Sequence, residues 1–120
     1  MAKRRIVNIE TVVPQADETK NPFESVIAMA EMTSDGNTQN IDLHGEDSET
    51  AVSLADQFLH QQFLAGESVV KIIHGRGTGA LRRAVAAMLK NHPVVEYFRD
   101  SLNTSELGGV TYVALARRSK

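Results

Sequence analysis

Apolar residues along this chain switch between two spacings, and the switches mark out its elements. Ile41-Asp42-Leu43-His44 alternates apolar and polar positions and stops at Gly45, as a short half-buried strand does. Asp47 then offers a helix cap. Ala51, Leu54, Ala55, Phe58, Leu59 and Phe63 recur at helical spacing, predicting an amphipathic helix that Gly66 ends in a left-handed turn. From Ser68 to His74 the run Val69-Val70-Lys71-Ile72-Ile73 is β-branched and nearly continuous, like a strand covered on both faces. A loop, Gly75-Arg76-Gly77-Thr78-Gly79, follows. The next helix carries Leu81, Val85, Met88 and Leu89 on one face, and Pro93 stops it by disfavouring helical geometry just before itself. Val94 to Arg99 and Val110 to Leu115 make two more strands, joined by a loop that closes on Gly108-Gly109. The order is β-α-β-α-β-β. A right-handed crossover makes the first two strands parallel and predicts an α/β fold, a two-layer sandwich of one four-stranded mixed sheet and two helices.

Residues 1–39 read differently. Ile6, Val7, Ile9, Val12 and Val13 predict a strand ended by Pro14, followed by a polar loop to Asn21. Pro22 to Met32 predicts a short helix with Val26, Ile27 and Ala30 at helical spacing, and a polar linker leads on to Asn40. The division expected is a partly ordered arm over residues 1–39, a domain over 40–116 and a basic tail over 117–120, the arm being dispensable to the fold.

Composition narrows the chemistry. With 120 residues, 42% hydrophobic but 5% aromatic and lacking Trp, the chain supports one small core. The absence of cysteine excludes disulfides, thiolate metal sites and cysteine nucleophiles, and fits a reducing, cytoplasmic location. Its apolar runs are too short to cross a membrane. The net charge of −2 conceals a polarity: residues 1–67 hold twelve Asp/Glu against four Lys/Arg, and residues 68–120 hold three against nine. Lys71, Arg76, Arg82, Arg83 and Lys90 fall in the acid-free stretch between Glu67 and Glu96, a distribution suited to phosphates.

Two histidines hold equivalent positions. His44 and His74 each end a strand, precede a glycine and stand before a helix start, where open α/β sheets bind their ligands. Asp42 shares a strand face with His44. These three are the candidate catalytic residues. The glycines of the loop allow left-handed turns and close backbone approach, and the helix behind it offers unpaired N–H groups to an anion. Gly75, Arg76, Gly77, Thr78, Gly79, Arg82 and Arg83 are therefore the candidate phosphate-binding set. His60 and His92 read as exposed helix residues. The loop lacks the Lys-Ser/Thr pair of a P-loop; Gly75-x-Gly77-x-x-Ala80 loosely matches a dinucleotide fingerprint, but the second half of that fold is missing.

Ile41-Asp42-Leu43-His44-Gly45, Ile72-Ile73-His74-Gly75-Arg76-Gly77-Thr78-Gly79-Ala80-Leu81-Arg82, His92-Pro93-Val94-Val95-Glu96-Tyr97-Phe98-Arg99 and Gly108-Gly109-Val110-Thr111, in that order, resemble the Smr (small MutS-related) family over about 75 residues. The resemblance implies a fold similar to the carboxy-terminal domain of translation initiation factor three. It also implies nucleic-acid binding with endonuclease activity on DNA or RNA, and for some members action at ribosomes. The family motifs correspond to Asp42 and His44 and to His74 through Gly77. In that reading the loop, Arg76 and Arg82 hold a phosphate, His44 or His74 is the general base, and Asp42 orients its neighbour. Cleavage through an RNA 2′-hydroxyl requires no metal, whereas Asp42 with the two histidines is a conceivable divalent-metal set. The alternatives are a binding or ribosome adaptor that never cleaves and, further off, a nucleotide-binding protein.

Overall fold

The computed structural model describes residues 21–33 and 37–117. The predicted strand at Ile6–Val13 and the tail from residue 118 lie outside them. Helix α1 (Pro22–Thr33) comes first. Strand β1 (Gln39–Asp42), helix α2 (Ser48–Leu64), strand β2 (Val69–Ile73), helix α3 (Ala80–Lys90) and strands β3 (Val95–Asp100) and β4 (Val110–Leu115) follow. A short 3₁₀ turn at Thr104–Glu106 sits in the β3–β4 loop. Among the described residues no helix is long and apolar enough to cross a membrane.

The sheet is four-stranded in the order β1-β2-β4-β3. Strands β1 and β2 are parallel, and β4 runs antiparallel to both β2 and β3. This is the expected mixed α/β sheet. Its strands begin and end within two residues of the sequence reading, except that β1 starts at Gln39 and the pairing passes to Leu43, whose N–H donates to the Ile73 carbonyl at 2.7 Å. Strand β4 is buried along its whole length because both of its faces are covered. Val70, Ile72, Val113 and Leu115 alternate onto one face and pack with Ala55, Leu59, Val85 and Leu89 of α2 and α3. Asp47 caps α2 as expected, accepting the Thr50 N–H at 2.8 Å, and Gly66 follows the helix at φ 84°.

The second face is where the arm matters. Val69, Val110, Tyr112 and Ala114 point to it, and α1 closes it with Ile27, which is fully buried. Asn21 starts that helix by accepting the Phe23 N–H, and Pro22 occupies the first turn, where its missing N–H costs nothing. Arg99 of β3 then ties α1 down. Its Nε lies 2.7 Å from Glu24 Oε2 and its terminal nitrogens 2.8 and 2.9 Å from Glu31. The expectation that residues 1–39 are dispensable does not fit this packing, because α1 adds a third layer that finishes the core.

Candidate functional site

Strands β1 and β2 end side by side, and helices α2 and α3 begin just beyond them. Between these ends lies a cleft of 570 Å³, walled by residues 44–48 on one side and 74–81 on the other. A slightly larger hollow of 620 Å³ under α1, at the opposite end of the sheet, has neither histidine nor glycine loop on its walls. The chemistry belongs to the smaller one.

On the first wall Asp42 and His44 pair as their spacing requires. Asp42 Oδ1 accepts from the His44 N–H at 3.1 Å and faces His44 Nδ1 at 2.9 Å. Both side chains are open to solvent. The hydrogen bond and charge of Asp42 raise the His44 pKa above its ordinary value, and the same bond lowers that of Asp42. Nδ1 being the donor to a carboxylate, the free Nε2 is the atom available for proton transfer. The Asp42 carboxylate is the largest cause of the shift, so Asp42→Asn should lower the His44 pKa. Histidine titration by NMR checks this; an unmoved His44 pKa would break the pairing.

His74 departs from expectation. It is 3% exposed. Its Nε2 lies 2.9 Å from Thr111 Oγ1 and its Nδ1 3.1 Å from the Gly75 carbonyl. Burial holds its pKa below the ordinary histidine value. With both ring nitrogens engaged, it anchors the loop, although it lines the cleft together with His44. Its burial follows from register: His74 extends the inward-facing row of Val70 and Ile72, whereas His44 follows buried Leu43 and turns outward.

The loop behind it is shaped by glycine. Gly75, Gly77 and Gly79 all have positive φ, and a Cβ on Gly75 would stand 3.0 Å from His44 Cβ, so the two motifs touch there. Among the described residues the amides of Arg76, Gly77 and Thr78 donate to no group of the chain. Gly79 caps α3 without a side chain, although the Thr78 hydroxyl lies 3.3 Å from the Ala80 amide. The three expected cations separate. Arg76 spans to the β3–β4 loop, donating to the carbonyls of Leu107 and Ser105 at 2.9 Å each. Arg83 folds back over Gly79, with its Nη1 3.5 Å from the Thr78 carbonyl. Arg82, expected on the phosphate, donates from Nε and one terminal nitrogen to the two carboxylate oxygens of Asp100 at the end of β3. The opposite wall carries Glu46 and Asp47. An anion is therefore favoured against the loop and α3 and disfavoured against the start of α2.

Asp100 and Thr111 went unseen in the sequence because they meet by cross-strand pairing. The reading of His60 and His92 also needs correcting for His92. It lies beyond α3, is 8% exposed and meets Asp56 Oδ1 at 2.7 Å through Nε2. Its Nδ1 accepts the Val94 N–H at 3.3 Å, so Nε2 bears the proton given to Asp56. His60 stays exposed on α2 beside it, with ring centroids 5.0 Å apart. This cluster fastens the turn after α3 to α2.

The sequence profile of the Smr domain matches residues 41–116. The chain belongs to the Smr family. The Smr domain of Thermus thermophilus MutS2 superposes with a TM-score of 0.63 at 37% identity, covering 65% of this chain and 98% of that one. YdaL, a stand-alone small MutS-related protein from Escherichia coli, gives 0.62 at 25% identity over 68% and 66% of the two chains. Among sequences, the endonuclease MutS2 of Caldicellulosiruptor saccharolyticus is 33% identical over 109 residues, 91% of this chain and 14% of that protein. That of Clostridium novyi is 49% identical over 77 residues, 63% of this chain and 10% of that protein. The Smr chain thus spans a small part of these relatives. A match covering 91% of it must include α1, which extends the likeness into the arm beyond the Smr profile.

Proposed function

We propose that this Smr protein binds the sugar-phosphate backbone of nucleic acid in the cleft and cleaves it as an endonuclease. One observation carries the reading: three loop amides with no partner among the described residues, and His44 in its pair with Asp42, line the same cleft. Backbone amides beside a helix N-terminus suit a phosphate oxygen, and Arg76 and Arg83 add charge at the rim. His44 Nε2 is the group to take a proton from an attacking water or, on RNA, from a 2′-hydroxyl. Relatives named endonucleases share this family and support the assignment.

Replacing Arg76 and Arg83 together by Ala should weaken binding to all sequences alike. It should also flatten the salt dependence, each lost phosphate contact lowering the log–log slope by roughly 0.7–0.9. Arg82→Ala should leave that slope unchanged, since its charge is spent on Asp100. Affinities measured across a salt series decide, and a slope that responds to Arg82 alone would misplace the phosphate. Incubation with labelled single- and double-stranded DNA and RNA, with and without divalent metal, tests cleavage. Binding without cleavage under every condition would leave a binding or ribosome adaptor, a reading compatible with the acidic wall of Glu46 and Asp47.

A further inference from the structure

Arg76 leaves the phosphate loop with its side chain held at both ends. Its stem lies against the β3–β4 loop, where a Cβ on Gly109 would stand 3.4 Å from Arg76 Cγ. At the far end Nε donates to the Leu107 carbonyl and Nη2 to the Ser105 carbonyl, at 2.9 Å each. Those acceptors take one edge of the planar guanidinium and leave its other N–H groups to a ligand. Arg76 is exposed and lines the cleft. Without this grip, its long side chain would lose its freedom only on meeting a ligand, at the expense of affinity.

The grip is as firm as the 3₁₀ turn at Thr104–Glu106, because Ser105 and Leu107 flank Glu106. The backbone bonds of this turn close on the loop itself. Asn103 accepts from the Glu106 and Ser105 amides, and the Glu106 carbonyl accepts from Gly109. Ser105 and Leu107 are both exposed, so apolar packing does not hold them. The tie to the sheet is the Glu106 side chain. Its carboxylate accepts from Lys71 Nζ of β2 and from the Ser101 hydroxyl beyond β3, at 2.8 Å each, and from the Tyr112 hydroxyl of β4 at 3.2 Å. The Lys71 and Glu106 side chains are both largely buried, which strengthens their charge-assisted bond. Lys71, counted in the sequence with the basic stretch, is thus spent here and not on a phosphate.

We propose that Glu106 is a positioning residue for the phosphate ligand: it anchors the turn whose Ser105 and Leu107 carbonyls hold Arg76 at the rim of the cleft. Glu106 does not line the cleft itself. It acts through Arg76, sparing that side chain the loss of freedom that a loose arginine suffers on meeting a phosphate. Through Lys71 and Tyr112, the second face of the sheet thereby sets the geometry of a cation at the first. The ligand is a nucleic-acid backbone phosphate, so the inference rests on the function proposed above.

The test uses the full chain, ¹⁵N-labelled, with arginine side-chain NMR beside binding to labelled single-stranded oligouridine and oligothymidine. In the free wild type the Arg76 Nε–H should exchange with water more slowly than the Arg83 Nε–H, which has no acceptor among the described residues. Glu106→Ala should remove that protection and weaken binding about two- to tenfold, the cost of ordering one long side chain on contact. Glu106→Gln keeps the shape and an oxygen for Ser101 and Tyr112 but loses the charge that holds Lys71. It should lose part of both readouts, and it serves if the alanine variant folds poorly. In an Arg76→Ala background neither change should weaken binding further, whereas a general loosening of the fold would add its own effect. Full additivity with Arg76→Ala, an unprotected Arg76 Nε–H in wild type, or unchanged protection in a folded Glu106 variant overturns the proposal. Wild type that binds neither strand also overturns it, by way of the proposed function, and slow Arg76 exchange in the free chain tells that failure from a missing grip.

Discussion

Replacing His44 by Ala should lower phosphodiester cleavage by roughly 10²–10⁴-fold, the usual contribution of a general acid or base. His44 is the ring with a free nitrogen at the cleft, while His74 spends both of its nitrogens on Thr111 and Gly75. The folded state should barely notice, because the His44 side chain is exposed and holds nothing but Asp42. The pH profile carries the sign. Asp42 raises the His44 pKa, so a base reaction falls as pH drops through a pKa higher than that of an unpaired histidine. Removing the carboxylate in Asp42→Asn moves that acid limb to lower pH and leaves cleavage higher than in His44→Ala. Equal rates for wild type and His44→Ala would remove His44 from the chemistry. A larger loss in His74→Ala with its loop amides unmoved would give the role to the buried ring.

The second large effect concerns stability. Arg99 joins Glu24 and Glu31 of α1 to β3, and the Arg99 and Glu31 side chains are 14% and 12% exposed. Glu31 also accepts from the Leu102 N–H at 2.7 Å. Arg99→Ala leaves two carboxylates without their cation, Glu24 keeping only the Tyr97 hydroxyl, and breaking such a pair costs about 3–5 kcal/mol. Urea unfolding should show this as a lower midpoint at unchanged slope. A chain beginning at residue 34 should lose at least as much, since Ile27 no longer covers Val69, Tyr112 and Ala114. The pH dependence agrees in direction. The Arg99 hydrogen bond lowers the Glu31 pKa, so its contribution is present above the unfolded carboxylate pKa and is lost as pH falls through the depressed folded value. Midpoints within error of wild type for both variants would return α1 to the status of a loose arm.

The apolar pattern made the sheet legible because burial is periodic. Val70 and Ile72 alternate with Val69 and Lys71, and a pattern of that kind states which face each residue takes. It also announced that β2 is covered on both faces, but not what lay on the second. Ile27 and Ala30 suggested a helix, yet nothing in residues 22–33 alone reveals that Glu24 and Glu31 meet an arginine some seventy residues away. Asp42 and His44 were readable as a pair because two residues along one strand share a face. The burial of His74 was not legible, because a residue at a strand's end belongs to whichever row the strand carries inward. The pairing of Arg82 with Asp100 was not legible either, because Asp100 reaches it only through the pairing of β3 with β4. Contacts made by tertiary pairing between distant charges leave no periodic trace.

The most direct test of the account is an amide and imidazole NMR titration of the ¹⁵N-labelled chain with short single-stranded RNA and DNA. The account predicts saturable shifts at the Arg76, Gly77 and Thr78 amides and at His44 Nε2, with the α1 face unmoved. Saturable binding that shifts α1 or β3 while leaving the loop amides and His44 unchanged, or no binding of either strand, would contradict it.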